Sequence, residues 1–209
     1  MGKLFLLTCV LISLSLTGPA QHIFLPQPLG PTQTWRVYGT PLLFDGWVKA
    51  KVSSHNELFK NDSLLYNFDK ASQKLLATDK EFEYKVNKKE FQSVTFYNGD
   101  LQLTFEHVPA INDKDLFCVL VETDDKYSLY KYIHTIIKGG RYYDWNSYYI
   151  LFPFPNMQFL RYNYIDKKLI KKAFALSKDN QKVKTYFSLY EADQADEYFL
   201  KHLIEYLNQ

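Results

Sequence analysis

Cysteine is scarce in this sequence, and neither sign of charge dominates. Of the two cysteines among 209 residues, Cys9 lies in an apolar N-terminal run, which leaves Cys118 alone in the rest of the chain. A single cysteine cannot form an intramolecular disulfide, so the fold must depend on its hydrophobic core. The 25 Lys and Arg nearly balance the 23 Asp and Glu, giving a net charge of +2. Such a balance provides no basic field, and we therefore expect no nucleic-acid partner.

Long apolar stretches are also missing. The longest, Leu4–Leu16, has about 13 residues, whereas a membrane-spanning helix needs roughly 20. Lys3 before this run, with small Gly18 and Ala20 after it, is the pattern of a secretory signal peptide over residues 1–20. Cleavage there leaves a mature chain without a transmembrane segment.

Export without disulfides narrows the expected location. Secreted eukaryotic domains of this size usually carry disulfide bridges, so their absence favours a bacterial envelope protein. We expect the protein to be periplasmic, extracellular or associated with the outer membrane of a Gram-negative bacterium. Its oligomeric state is left open by the sequence.

Specific catalytic motifs are absent from the sequence. It contains no G-x-S-x-G nucleophile elbow, H-E-x-x-H zinc helix, P-loop or G-x-G-x-x-G loop. The five histidines are never closely spaced, so no local pair of metal ligands exists. Cys118 lies between Phe117 and Val119, where a thiol is expected to behave as a small core residue. We therefore predict no catalytic residue, no cofactor, no metal and no enzymatic activity.

Carboxylates give one alternative to this interpretation. Glu81 with Glu83, or Glu106 with Asp113 and Asp115, can supply the paired acids of a glycoside hydrolase. Acidic residues on the wet face of a strand are more often simply solvated. A hydrolase with a non-local site is therefore kept as the second alternative function.

Aromatic residues are abundant, with 17 Tyr, 16 Phe and 3 Trp. They are densest over residues 142–164, where alternation along a strand directs about half of them away from the core. Exposed Tyr and Trp provide flat, amphipathic surfaces that suit sugars, peptides or protein partners. The predicted binding face consists of five of these residues: Tyr142, Tyr143, Trp145, Tyr148 and Tyr149.

Short alternating runs separated by turn residues predict a mainly β protein. Residues 21–34 are rich in proline and predict an extended leader, and residues 35–165 predict an antiparallel β domain. Its meander is expected to form a barrel-like or sandwich sheet, in which Gly139 and Gly140 open a longer loop. The predicted strands are 46–53, 63–68, 73–78, 81–86, 91–97, 101–107, 115–122, 127–137, 147–152 and 157–164.

Two of these strands have informative patterns. In 81–86, Phe82, Tyr84 and Val86 share one face and the charged residues share the other. The run 115–122 is apolar on both faces, which predicts a central strand covered on both sides.

The apolar period changes to about 3.6 after Tyr164, which predicts a C-terminal helical extension over 166–209 packed on the β domain. Asp166 is expected to cap a helix over 167–175, with Leu169, Ile170, Ala173 and Phe174 on its apolar face. Ser177 is expected to cap a second helix over 178–188. A third begins at Asp193 or Ala195. Its apolar residues are Phe199, Leu200, Leu203, Ile204 and Leu207.

Charge is segregated within the helical extension. Residues 166–184 carry a net +5 and residues 191–205 a net −4. We interpret this as mutual attraction and solvation of outer helix faces. The alternative is a basic patch for an acidic surface or lipid headgroup.

Three segments together carry a resemblance: Gly39-Thr40-Pro41-Leu42-Leu43-Phe44-Asp45-Gly46-Trp47, Leu64–Asp69 with Gln73–Leu76, and Leu203–Asn208. They resemble a group of uncharacterised exported proteins of Gram-negative bacteria, over nearly the whole mature chain. The resemblance implies that the shared segments have a structural role, since they contain no catalytic signature. In physical terms, Pro41 fixes the chain before a sheet edge, Phe44 and Trp47 anchor the first strand, and Asp45-Gly46 forms a turn or bulge.

The leading function predicted by the sequence is binding of a partner protein or envelope component without catalysis. The first alternative is a lipocalin-like carrier of a small apolar ligand. The chain is similar to lipocalins in its predicted export, its size and its early Trp. Lipocalins open with Gly-x-Trp, whereas here Gly46 directly precedes Trp47. Three terminal helices also exceed the single one that is usual in that family.

Overall fold

A computed structural model of the protein describes residues 27–28, 38–54, 63–123, 126–152 and 159–209. The predicted signal peptide and most of the proline-rich leader lie outside these residues. The described chain is mainly β, with three helices after the strands, as the sequence predicted. No helix within the described ranges is long and apolar enough to cross a membrane.

The strands and helices follow the predicted order along the chain. The strands are β1 (Gln27–Pro28), β2 (Lys49–Ser53), β3 (Leu65–Asp69), β4 (Lys74–Thr78), β5 (Glu83–Lys85), β6 (Ser93–Asn98), β7 (Leu101–Val108), β8 (Asn112–Val121), β9 (Ser128–Lys138), β10 (Arg141–Leu151) and β11 (Phe159–Tyr162). The helices are α1 (Lys167–Ala173), α2 (Asn180–Leu189) and α3 (Glu197–Leu207).

The strands form two antiparallel sheets. The small sheet has the order β1-β5-β4-β3, and the large sheet has the order β11-β10-β9-β8-β7-β6-β2. Neither sheet closes into a barrel, so of the two predicted forms the sandwich is the compatible one. A shared core joins them, in which Phe68 of the small sheet contacts Phe105 of the large one at a ring-centroid distance of 5.1 Å.

A corner formed by residues 42–48 connects the two sheets. This segment pairs with β3 at both ends, Leu42 with Asp69 and Val48 with Tyr66, before the chain continues into β2. Residues 42–48 thus face only residues 66–69, which requires the segment to bulge between its two bridges.

The side chain of Asn67 bridges this bulge. Its Oδ1 accepts hydrogen bonds from the N–H groups of Phe44 (3.2 Å) and Phe68 (2.8 Å). Its Nδ2 donates to the carbonyls of Phe44 and Gly46, both at 2.9 Å. The amide therefore replaces the backbone pairing that the bulge interrupts, and Asn67 is itself 1% exposed.

The three helices pack on the other half of the large sheet. Asp166 caps α1 as predicted, because its Oδ1 accepts from the N–H groups of Lys168 (2.6 Å) and Leu169 (3.2 Å). The helical apolar residues bury against the strands in a second core. It includes Ile170, Phe174, Val183, Tyr186, Phe187, Phe199, Leu200, Leu203, Ile204 and Leu207 together with Leu129, Ile150 and Tyr162 of the sheet.

Several local predictions about the helices are wrong. Ser177 does not cap α2. Its Oγ accepts a hydrogen bond from the N–H of Asp179 at 3.1 Å, and Asp179 is the residue that directly precedes the helix. Asp196, which accepts from Phe199 N–H at 2.9 Å, caps α3. Leu169 is 41% exposed because the first turn of α1 presents it to solvent rather than to the sheet.

The charge segregation of the helices produces no ion pair between the two segments within the described residues. Lys167 Nζ instead donates to the carbonyls of Tyr190 and Glu191, both at 2.9 Å. Glu197 is paired with Lys131 of the sheet. In these contacts the basic segment therefore binds backbone carbonyls, and the acidic segment binds a lysine of the sheet, rather than each binding the other.

The central position predicted for the strand 115–122 is confirmed, but among the described residues the small sheet and the helices cover only its inner face. The prediction of a long loop at Gly139 and Gly140 is wrong. The strand β8 occupies the middle of the large sheet, with Leu116, Phe117 and Cys118 all buried. Gly139 and Gly140 do not open a long loop: both have positive φ angles (58° and 71°) and make a two-residue hairpin turn. As a result β10 begins at Arg141, six residues earlier than predicted.

The predicted strand 81–86 is shorter in the structure. Only Glu83–Lys85 pairs, as β5, at a position next to β4. Val86 is buried and Tyr84 is half-buried, but Phe82 is 57% exposed. Phe82 lies in the turn before the strand, where the Asp79 side chain accepts its N–H at 2.8 Å, so the alternation does not extend to it.

Candidate functional site

The two faces of the large sheet differ in what covers them. On the inner face, the small sheet packs on one half and the three helices on the other. The opposite, outer face carries a smaller cluster that includes Phe117, Tyr130 and Tyr149. The residues of this cluster are buried mainly by neighbouring side chains of the same sheet.

The structure divides the predicted binding residues between these faces. Trp145 pairs with His134 and Tyr149 with Tyr130 across β9 and β10, on the outer face. Tyr143 shares that face and is 49% exposed, and Trp145 is 52% exposed. Tyr149 is only 7% exposed.

The other two predicted residues are not available on that surface. Tyr148 points to the inner face, where its hydroxyl donates to Glu197 Oε2 at 2.8 Å. Tyr142 is half-buried beside the turn, next to Gly39. The exposed part of the predicted face is therefore Tyr143 and Trp145.

Further apolar residues surround these two at the end of the hairpin. We call this outer-face surface the hairpin patch; it consists of Tyr38, Ile136, Tyr143 and Trp145. These are four of the fourteen large apolar side chains that are exposed in the described chain, whereas the exposed Ile137 pairs with Tyr142 and lies on the opposite face of the sheet. The sequence prediction missed Tyr38 and Ile136, although a run of two isoleucines beside a Gly-Gly turn is a readable signal.

Tyr38 reaches the patch through backbone pairing with the start of β10. Its N–H donates to the Gly140 carbonyl at 2.9 Å, and its carbonyl accepts from Tyr142 N–H at 3.1 Å. The guanidinium carbon of Arg141 lies 5.9 Å from the Tyr38 ring centroid, within the range of a cation–π contact. Tyr38 is thus held at the hairpin end while 71% of its surface stays exposed.

Polar groups border the patch on the outer face. The rings of Tyr132 and His134 stack with centroids 5.8 Å apart, and the buried Nδ1 of His134 has no hydrogen-bond partner among the described residues. Arg161 Nε donates to Asn163 Oδ1 at 3.2 Å, and Ser147 Oγ donates to the same oxygen at 2.9 Å. Flat apolar rings therefore lie beside hydrogen-bonding groups.

Burial keeps the outer-face phenols neutral. It raises the pKa of Tyr132 to about 12, with a smaller contribution from the negative charge of Asp115. It also raises the pKa of Tyr149, against the lowering effect of the Arg161 charge. Both side chains are therefore uncharged hydroxyl groups throughout the physiological pH range.

The inner face contains a cleft of about 470 Å³ between the small sheet and α3. One ion pair joins Lys70 Nζ to Asp144 Oδ1 at 2.8 Å. A second joins Lys131 Nζ to Glu197 Oε2 at 2.7 Å. The sequence did not identify these residues, because the members of each pair lie tens of positions apart. The one indication was Lys131, a charged residue within the apolar run of β9.

The pKa values in the cleft follow from this pairing. Burial alone would raise the pKa of Asp144, but hydrogen bonds from Lys70 and Thr135 and the charge of Lys70 outweigh it and lower the pKa. Burial, followed by the hydrogen bond to Glu197, raises the pKa of Tyr148. Burial also raises the pKa of Cys118 to about 11, so its thiol is protonated at neutral pH.

The carboxylates considered for hydrolysis are not gathered as the sequence suggested. Glu81 and Glu83 are both exposed. Burial and then the charge of Glu122 raise the pKa of Glu106, while a hydrogen bond from Tyr130 lowers it. The charged neighbour of Glu106 is therefore Glu122, not Asp113 or Asp115. Within the described ranges, no group of three His, Cys, Asp or Glu residues is arranged to hold a metal ion.

The residues of the predicted structural motif lie at the corner. The Pro41 carbonyl accepts from Lys70 N–H at 2.9 Å, and Phe44 is 7% exposed in the core between the sheets. Asp45 and Gly46 are exposed in the bulge. Trp47 is half-buried just before β2.

Comparisons of the chain with protein-family models, curated proteins and solved structures find no match. A role for the protein therefore has to be inferred from the side chains described above.

Proposed function

We propose that this chain is an exported, non-catalytic envelope protein of a Gram-negative bacterium that binds a partner protein or surface component through the hairpin patch. The observation that supports this most strongly is the concentration of exposed Tyr, Trp and Ile at one end of the β9–β10 hairpin. Export and location rest on the apolar N-terminal run and the lone Cys118.

Solvent exposure of these side chains is unfavourable unless something covers them. Scattered apolar residues are normal on a protein surface, but a contiguous apolar patch marks an interaction site. Tyr and Trp are also the residues that contribute most to binding energy, because they bury a large area with little loss of rotamer entropy. The hairpin patch contains two tyrosines and one tryptophan.

The patch is held on a rigid support. The strands β9 and β10 pair along their full length, from Arg141 with Lys138 to Leu151 with Ser128. The base of this hairpin is buried against the helices through Leu129 and Ile150, each 0% exposed. A partner therefore meets preorganised side chains, which reduces the entropy lost on binding.

The test is capture by the whole protein purified from the envelope of a Gram-negative host without detergent. Wild type is compared with the double variant Tyr143→Ala/Trp145→Ala and with the control Tyr164→Ala/Tyr198→Ala. The control residues are 66% and 72% exposed and lie outside the patch. Bound proteins are identified by mass spectrometry, and bound saccharides by composition analysis.

We expect at least one component to bind wild type and the control equally and to be lost from the patch variant. Protein components would indicate a protein partner, and saccharide would indicate a surface component. Equal capture by all three proteins would show that the patch does not bind, and would overturn the proposal.

A further inference from the structure

The cleft on the inner face has the size and chemistry of a small-molecule site. It lies between the small sheet and α3, which pack on two halves of the same face of the large sheet. Its volume of about 470 Å³ lies in the usual range of roughly 300–1,000 Å³ for such sites. It is separate from the hairpin patch, since Asp144 and Asn146 alternate with Tyr143 and Trp145 along β10.

The two sides of the cleft differ in polarity. Leu101 and Leu103 of β7 and Leu120 of β8 line one side, and Lys131, Asn146 and Glu197 line the other. A ligand that fits both sides has an apolar body and a polar end.

The charges in the cleft restrict the polar end of a ligand. Both lysines of the cleft already form ion pairs, Lys131 with Glu197 at 2.7 Å and Lys70 with Asp144 at 2.8 Å. An anionic ligand would have to break one of these pairs and leave a carboxylate without its counter-charge, which costs free energy although the Asp144 and Glu197 carboxylates are partly exposed. The cleft therefore disfavours anions.

Asn146 supplies the remaining hydrogen-bonding capacity. Its Oδ1 is buried and has no partner among the described residues. A buried amide oxygen without a donor is unfavourable, and rotation of the carboxamide exchanges Oδ1 with Nδ2. The side chain therefore offers the cleft a donor in one orientation and an acceptor in the other. A ligand hydroxyl group complements both orientations, and a ligand N–H group complements the orientation that turns Oδ1 to the cleft.

We propose that this cleft binds a small, neutral amphipathic molecule, whose apolar body contacts the leucines and whose hydroxyl or N–H group donates to Asn146. This is a second site, independent of the hairpin patch. It differs from a lipocalin interior, because it is an open cleft with a half-polar lining rather than the inside of a closed barrel.

Two fluorescent probes with the same ring system test the charge preference in the whole protein. N-phenylnaphthylamine is neutral and has one N–H donor, whereas anilinonaphthalene sulfonate adds an anionic group to the same body. We expect one neutral probe to bind each chain with saturation. The anionic probe should bind at least about tenfold more weakly, because a tenfold loss of affinity corresponds to roughly one unfavourable contact.

Variants locate the bound probe. Asn146→Leu removes the acceptor and should weaken binding of the neutral probe about tenfold. Leu101→Trp, at a half-exposed position at the mouth of the cleft, should abolish it by filling the space. The matched control is Asn87→Leu, an exposed asparagine after β5 that lies outside both the cleft and the hairpin patch, which should bind as wild type does.

Three results would overturn the proposal: no saturable binding of the neutral probe, equal affinity for both probes, or unchanged binding in both cleft variants. Binding that disappears in Tyr143→Ala/Trp145→Ala but survives in Asn146→Leu would place the probe on the hairpin patch. That result would contradict the cleft site and leave the proposed function intact.

Discussion

The strand β10 has two faces with opposite character. On the inner face, Asp144 and Tyr148 each bind a charged or hydroxyl partner from another strand or helix. On the outer face, Tyr143 and Trp145 are about half exposed. The backbone is shared, so the difference comes from the side chains on each face and from what packs on them.

This comparison separates residues that stabilise the fold from residues that are available for binding. Inner-face side chains gain free energy from burial, ion pairs and hydrogen bonds in the isolated chain. The residues of the hairpin patch gain little until a partner covers them. We therefore expect changes at buried or paired inner-face residues to lower stability, and changes at the hairpin patch to lower binding of the partner.

The largest loss of stability is expected on the inner face at Phe105. This residue is 0% exposed, and its ring centroid lies 5.1 Å from that of Phe68 and 5.8 Å from that of Phe96. Phe105→Ala should lower the free energy of unfolding by about 3–5 kcal/mol, because it leaves a cavity between the sheets. Urea unfolding measures the change, and a loss below about 1 kcal/mol would contradict the two-sheet core.

The next largest effect is expected at the corner that brings the small sheet over the inner face. Asn67→Ala removes four hydrogen bonds to backbone groups and should cost about 2–4 kcal/mol. Asn67→Asp keeps the acceptor oxygen but places a buried carboxylate oxygen against the carbonyls of Phe44 and Gly46. If the amide bridges the bulge, the loss of stability in this variant should therefore be at least as large as that of Asn67→Ala. Equal stability of Asn67→Ala and wild type in denaturant would rule out that bridge.

A smaller effect is expected at Asp144. Its replacement by Ala leaves the Lys70 side chain, which is 9% exposed, without its carboxylate. We expect a loss of about 1–2 kcal/mol at pH 7, reduced by solvent because Asp144 itself is half exposed.

The pH dependence identifies this pair. Because folding lowers the Asp144 pKa, its contribution is complete above the ordinary value of 3.8 and is lost as pH falls through the lower folded-state pKa. The difference in unfolding free energy between wild type and Asp144→Ala should therefore shrink below pH 3.8. A difference that is constant with pH would show that the ion pair is not its source.

The smallest effect on stability is expected at the hairpin patch. Tyr143→Ala/Trp145→Ala removes two half-exposed rings and should change the free energy of unfolding by no more than about 0.5–1 kcal/mol. Thermal and urea unfolding should nearly coincide with those of wild type. A loss as large as that of Phe105→Ala would mean that the two faces of the sheet do not differ as described.

Elements whose pattern is carried within one short segment were predictable. Asp166 precedes an apolar 3.6-residue period, and it caps α1. The run around Cys118 is apolar on both faces, and it forms the central strand. In each case the local physical preference and the final packing agree.

Features that depend on distant residues were not predictable in the same way. The strand β10 contains Asp144 and Asn146, which interrupt an apolar pattern, and only the cleft with Lys70 and Lys131 explains their inward position. The amide of Asn67 likewise bridges a bulge more than twenty residues away. Of the predicted binding face, Tyr143 and Trp145 are exposed. Strand alternation alone places Tyr148 on the inner face, and only its hydrogen bond to Glu197 of the last helix depends on a distant residue.

The most direct test of the central claim is hydroxyl-radical footprinting of the protein in intact envelope and after purification. If the hairpin patch binds a partner, Trp145 and Tyr143 should be strongly labelled in the purified protein and protected in the envelope. Tyr164 and Tyr198, which are exposed elsewhere, should be labelled in both. Equal labelling of Trp145 in the two preparations would contradict the account.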